Sequence, residues 1–411
     1  MTRLLLTNAR ILDAERGSLG DVSWIEIVDG RIAGVDTGRR PARDEQTRVL
    51  DLGGATVLPG LIDAHVHATL TSADARAVSG WAPSYMTARA GASLRSMLEK
   101  GFTTVRDTGG ADHGLARAVE EGFLTGPRLV YGGKAITQTG GHGDFRSRDE
   151  DEIPCCRRAH SGTAIADGVA AVRAAAREEL RKGAHHIKIM LSGGVASPND
   201  EVDAVQYSEE EIRTFVEEAD NAGRYVTGHA YNARAINRGL GNGVHCIEHG
   251  NLLDESSIEL FLRNDAWLVP TLITYDRLAA DGPRYGLPDA SHKKVYDVLD
   301  AGLSALEKAA AAGVNLAYGT DLLGGMDEFQ LHEFRVRGQV QPAADVIRAA
   351  TVNAAKLLRL EGEVGVVAPG AHADLLVVDG NPLEDLEVLV DHRRHHRFVI
   401  KGGAVIIERD L

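Results

Sequence analysis

A chain of 411 residues has the length for a large domain plus a smaller one, and 44% hydrophobic with 25% charged residues is the composition of a globular protein that works in water. Its formal net charge of −14 argues against nucleic acid as a partner, because phosphate binding needs concentrated Lys and Arg. The start has too short an apolar run for a signal peptide, and no stretch approaches the roughly 18–20 apolar residues of a membrane span, so a cytoplasmic enzyme without membrane contact is expected.

Residues 1–57 read as short β-segments, at 4–8, 23–28 and 31–35, with Asp29-Gly30 as a hairpin turn. The end of the chain, 363–411, has similar segments at 373–380 and 398–407. The two termini are therefore expected to meet in one small β-sandwich, with residues 58–362 inserted between them. That middle part alternates strand and helix. Strands are predicted at 61–65, 103–107, 128–132, 186–190, 225–229, 246–249, 267–271 and 316–320, with helices at 165–182, 208–222 and 295–312 among the connections. Asp167 or Ser208 can cap a helix start, the latter with Glu211 as a capping box. Eight βα units predict an α/β fold, a (β/α)8 TIM barrel whose site forms where the strands end. A long irregular stretch from Thr137 to about Thr163 carries Gly140-Gly141-His142-Gly143-Asp144-Phe145-Arg146, and a loop of that length is usually functional or mobile.

The chemistry collects at the predicted strand ends. His65 and His67 are separated by one residue, so an extended strand points both imidazoles to one face. Lys188, His229, His249 and Asp321 stand at or near the ends of strands four, five, six and eight. Four imidazoles and a carboxylate suit Zn²⁺ best, with Mn²⁺, Co²⁺ or Fe²⁺ as substitutes. Lys188 is the odd member, since an ammonium repels a dication. It is either a buried lysine paired with an acid or, after reaction with CO₂, an anionic carbamate able to bridge two metals.

Leu58-Pro59-Gly60-Leu61-Ile62-Asp63-Ala64-His65-Val66-His67, Gly319-Thr320-Asp321 and Pro369-Gly370-Ala371-His372-Ala373-Asp374-Leu375 resemble recurring segments of the amidohydrolase superfamily in its binuclear form. The resemblance runs over nearly the whole length. It implies that His65, His67 and Asp321 hold one divalent ion, most simply Zn²⁺, that His229 and His249 hold a second, and that Lys188 bridges them as N6-carboxylysine. A metal-bridging hydroxide would attack a carbonyl carbon, since a bound metal lowers the pKa of water from 15.7 to about 7. Asp321 would shuttle the proton to the leaving nitrogen. Tyr231 and His142 are the candidates to stabilise the developing oxyanion.

Gln138-Thr139-Gly140-Gly141-His142, the run 188–198, His229-Ala230-Tyr231, Glu248-His249-Gly250-Asn251 and the run 270–276 resemble a narrower microbial branch. It includes dipeptidases of the Xaa-Pro type and hydrolases of N-acyl amino acids such as ochratoxin A. This implies a small peptide-like or amide substrate, contacts from His142 and Tyr231, and a cation for the substrate carboxylate. Arg146 and Arg148 are candidates for that cation, as a guanidinium fork matches a carboxylate, though each reads equally well as a solvated surface arginine. A xenobiotic amide, carbamate, ester or lactam is the alternative substrate, and a non-catalytic assembly protein the remote alternative. The resemblance also makes a homo-oligomer plausible.

Other features carry less. Residues 391–397 read as a solvated charged loop, and Cys155-Cys156 as loop filler. His186 shares the Lys188 face one layer deeper, where a hydrogen-bonded core histidine is expected. Arg106-Asp107, ending strand two, suits a supporting position behind the ligands.

Overall fold

The structure, a computed structural model, describes residues 3–38, 41, 47–147 and 162–409. The N-terminal strands are β1 (Arg3–Asp13), β2 (Ser18–Val28), β3 (Arg31–Asp36), β4 (Thr47–Asp51) and β5 (Thr56–Pro59). Asp29 and Gly30 have φ of +47° and +81°, the left-handed pair that lets a two-residue turn follow the twist of β2 and β3. The C-terminal strands, β16 (Leu375–Val378), β17 (His396–Lys401) and β18 (Ala404–Glu408), join the same eight-stranded sheet. The seam is β5 against β16, antiparallel, with Leu58 opposite Leu376 and Val57 opposite Val377. Both strands are buried along their whole length, which is why they read as unbroken apolar runs. Leu4, Leu6, Ile25, Val57, Leu375, Phe398 and Ile400 form one buried cluster, so the two ends of the chain share a core.

Between them every strand pairing is parallel. β6 (Leu61–Val66), β7 (Phe102–Asp107) and β8 (Arg128–Tyr131) form one arc. β9 (Ala135–Thr137), β10 (Thr163–Ile165), β11 (Ile187–Met190), β12 (Val226–Asn232), β13 (Cys246–Leu252), β14 (Trp267–Val269) and β15 (Asn315–Leu316) form another. Backbone bonds link the arcs, among them His185 N to Tyr131 O at 2.9 Å, Ala64 N to Tyr318 O at 2.8 Å and Asp321 N to His65 O at 2.8 Å. The helices Gly168–Arg181, Glu209–Asn221 and Asp289–Ala312 cover the second arc. No helix among the described residues is long and apolar enough to cross a membrane.

Three details depart from expectation. β9 and β10 are additional strands of three residues each. The strands expected at 267–271 and 316–320 are shorter: Pro270 has no N–H for the ladder and Thr271 has φ +46°, and past Leu316 the backbone N–H of Tyr318 turns to the Ala349 carbonyl at 3.0 Å. Ser208 and Glu211 form the capping box, but the Asp167 carboxylate does not cap its helix. It accepts instead from Thr139 N and Oγ1, at 2.9 and 2.7 Å.

Candidate metal centre

His65 lies near the end of β6 and His67 just beyond it. Each Nδ1 is held from behind: His65 Nδ1 is 2.7 Å from Glu248 Oε2, and His67 Nδ1 is 2.8 Å from the Gly109 carbonyl. A carbonyl only accepts, so the His67 hydrogen sits on Nδ1. Glu248 is held as a carboxylate: burial pushes its pKa up, but the charge of Arg106, 2.7 Å away, leads the effects that outweigh this and hold it well below the usual range. His65 Nδ1 therefore also carries its hydrogen. Both Nε2 atoms then turn to Asp321 Oδ1, at 3.4 Å from His65 and 3.2 Å from His67. Two imidazole lone pairs facing a carboxylate at that range need a proton or a cation between them. The ligand atoms of the three residues lie within 4.8 Å of one another. This donor set fits a divalent metal, with hydrogen bonds behind each imidazole that fix its tautomer.

The other candidates gather around this group. His249 has its ring centroid 5.0 Å from that of His65 and 4.7 Å from that of His229, and its Nδ1 meets Thr271 Oγ1 at 2.7 Å. His229 Nε2 is 3.2 Å from the Gly193 carbonyl, and its ring stacks on His142 at 4.1 Å. Lys188 is buried in β11 and has neither hydrogen bond nor ion pair among the described residues. Burial pushes its amine pKa down, against the charges of Glu248 and Asp321. An unpaired buried amine shifted toward the neutral form is the chemistry that CO₂ requires.

Tyr231 is buried, with its phenol oxygen 3.2 Å from that of Tyr275. Arg146 is engaged: its Nε and Nη2 grip Asp144 at 2.7 and 2.6 Å. Arg148, Cys155 and Cys156 lie outside the described residues.

His186 corrects an expectation. It is buried, stacked on Tyr225, but neither ring nitrogen has a hydrogen-bond partner among the described residues. Burial pushes its pKa well down, and a neutral ring in an apolar layer tolerates that isolation better than an imidazolium.

Sequence reasoning passed over Glu248, Thr271, Asp63 and Tyr275. Alternation along β13 puts Glu248 on the opposite face from His249. His249 has φ +76°, however, and that twist brings both toward the centre. A carboxylate beside a ligand histidine in an apolar strand was the available signal. Asp63 accepts from His65 N, Thr320 N and Oγ1 and Gln330 Nε2, tying the end of β6 to the segment that carries Asp321.

Comparison with known proteins gives the chain a family. The amidohydrolase family matches residues 56–405. An ochratoxinase of Aspergillus niger is 33% identical over 375 residues, covering 85% of this chain and 75% of its own. A crystal structure of a prolidase complexed with N-methylphosphonate-L-proline superimposes with TM-score 0.96 at 45% identity, over 99% of this chain and 100% of that one. A Xaa-Pro dipeptidase with methionine bound in its active site gives TM-score 0.88 at 30% identity, over 98% of this chain and 100% of its own.

Proposed function

The chain belongs to the amidohydrolase family and is a hydrolytic enzyme, and from that premise we propose that it cleaves the peptide-like amide bond of a small substrate, as a Xaa-Pro-type dipeptidase or carboxypeptidase. The observation that carries the reading is the Asp321 carboxylate facing the Nε2 atoms of His65 and His67, with each Nδ1 hydrogen bonded away from it. The prolidase likeness over the full length of both chains supports the substrate class. The ochratoxinase likeness favours a second reading, an N-acyl aromatic amino acid.

On this reading His65, His67 and Asp321 would hold one divalent ion and His229 and His249 another, with Lys188, once carboxylated, as the ligand they would share. Zn²⁺ suits the imidazole-rich set. Bound metal supplies a nucleophile from water at neutral pH and polarises the scissile carbonyl. Asp321 accepts the proton released in the attack and passes it to the leaving nitrogen. Its place supports this role, because Oδ1 faces the Nε2 atoms of both His65 and His67. Tyr231 O–H donates to the carbonyl oxygen as charge builds there. His142 touches the substrate beside His229. Burial of these groups excludes water and strengthens each contact.

The scaffold on this reading is a (β/α)8 barrel over 58–362, with 1–57 and 363–411 forming a β-sandwich. The backbone bonds between the two parallel arcs and the shared core of the termini support it.

Elemental analysis of protein purified without chelator, run beside a screen of Xaa-Pro, Xaa-Arg and N-acyl-aromatic amino acid amides, tests the proposal. About two metals per chain with dipeptide cleavage is the expected result. Two metals with cleavage only of N-acyl aromatic amides selects the second reading. One metal or none removes the Lys188 bridge.

A further inference from the structure

Asp200, Ser197 and His142 form a hydrogen-bonded series beside the centre. Ser197, buried in the loop after β11, has Oγ 2.7 Å from His142 Nδ1 and hydrogen-bonds Asp200 Oδ1 as well. A serine hydroxyl has one hydrogen to give. The other oxygen of Asp200 accepts from Gly194 N at 2.9 Å and Gln206 Nε2 at 3.3 Å, and Lys294 Nζ stands 4.0 Å from Oδ1. Asp200 is thus surrounded by donors, and the Ser197 hydrogen goes to it. The Ser197 oxygen can then only accept from His142, so His142 carries its hydrogen on Nδ1. In a neutral imidazole Nε2 is left as an acceptor. No hydrogen bond to Nε2 is formed among the described residues, and stacking on His229 fixes the ring plane.

The loop itself is clamped. Lys294, from the helix Asp289–Ala312, donates to the carbonyls of Gly194, Ser197 and Asp200 at 3.1, 2.9 and 2.5 Å. Gly194 has to be glycine, because a Cβ there would lie 2.1 Å from His142 Nδ1.

We propose that Ser197 and Asp200 are positioning residues that lock His142 as the Nδ1–H tautomer, so that Nε2 accepts a hydrogen bond from an N–H group of the substrate and does not donate to its carbonyl oxygen. The proposal rests on the amide-hydrolase reading for what Nε2 meets, and on geometry alone for the tautomer. It leaves Tyr231, not His142, as the side-chain donor to the oxyanion.

The tautomer is read directly by long-range ¹H–¹⁵N correlation on metal-loaded protein labelled with ¹⁵N-histidine, the His142 signals being those lost in His142→Gln. Protonated Nδ1 and bare Nε2 are expected, and Ser197→Ala should shift both nitrogens toward a mixture. A native His142 protonated at Nε2, or signals unmoved by Ser197→Ala, overturns the lock. Ser197→Cys, close in shape with a weaker donor, gives the same reading if the alanine variant fails to fold.

Kinetics then separate positioning from packing. With an amide that the native enzyme cleaves, Ser197→Ala should lower kcat/KM by about fivefold or more, yet by less than about twofold in the His142→Gln background, with metal content unchanged. Ser197→Thr, which keeps the hydroxyl, should restore most of the rate. Equal losses in both backgrounds overturn action through His142. If the native enzyme cleaves none of the amides, the proposed function fails while the tautomer measurement still decides the relay.

Discussion

His65 Nδ1 lies 2.7 Å from Glu248 Oε2, a contact that ties the ligand on β6 to an acid on β13 across the interior. The other oxygen of Glu248 accepts from Arg106 Nη2 at 2.7 Å and from Thr227 Oγ1, and all of these groups are buried. Arg106 in turn donates through Nε to the Ala64 carbonyl at 2.5 Å, next to His65. Glu248→Gln keeps the shape but presents a neutral amide to both Arg106 and His65. Metal affinity is expected to fall by about 10–100-fold, as for other partners that orient a ligand histidine. Chelator competition measures this, and an unchanged chelator midpoint would remove Glu248 from the support of His65. Glu248→Ala should in addition lose on the order of 3–5 kcal/mol of stability, because Arg106 is left buried and uncompensated.

Much of this site is legible in the chain because period-two strands deliver residues to predictable places. His65 and His67 are two apart and meet. Lys188, His229 and His249 fall within the short apolar strands expected to carry them, and Asp321 follows the end of β15 by five residues. What escapes is what depends on backbone departures from regular geometry. The left-handed φ at His249, Thr271 and Asp321 turns these residues against the alternation, and no pattern in the side chains announces it. β9 and β10, with three residues each, are too short to carry a period. Hydrogen bonds between distant segments, such as Glu248 to His65 or Asp63 to Thr320, exist only once the strands are neighbours.

Asp321 sits 3.2–3.4 Å from two imidazole Nε2 atoms and takes a left-handed backbone conformation, which its N–H bond to the His65 carbonyl, 2.8 Å, helps to hold. Asp321→Asn preserves the shape and one oxygen ligand but removes the proton carrier. Turnover is expected to drop by about 10²–10⁴, with most of the metal retained. Turnover near the native level in a metal-replete variant would exclude Asp321 as the shuttle.

Lys188 is buried without a partner among the described residues, so its replacement breaks no ion pair. Lys188→Ala is expected to fold, to hold about one metal fewer per chain, and to lose activity. Short carboxylic acids should restore part of the activity by filling the bridging position, whereas bicarbonate should not, having no amine to react with. Two metals in the alanine variant would show that the lysine bridges nothing.

Glu333 offers a stability test away from the centre. Its Oε2 accepts from Ile273 N at 2.7 Å, but Oε1 is buried with no partner among the described residues. Burial pushes its pKa from 4.5 up to about 8 against the opposing charge of Arg337, so the folded protein keeps a proton there that the unfolded chain releases. The folded state therefore binds more protons between these two values, and stability must fall as pH rises from about 4.5 through about 8. Glu333→Gln keeps an oxygen for Ile273 N–H and has no charge to bury. It should resemble the native protein near pH 5 and exceed it progressively up to pH 8–9, by an order of a few kcal/mol at most. Denaturant unfolding of both proteins across this range reads the difference. Parallel stability curves would mean that Glu333 is already ionised in the fold, held by Arg337, and that its unpaired oxygen has found water.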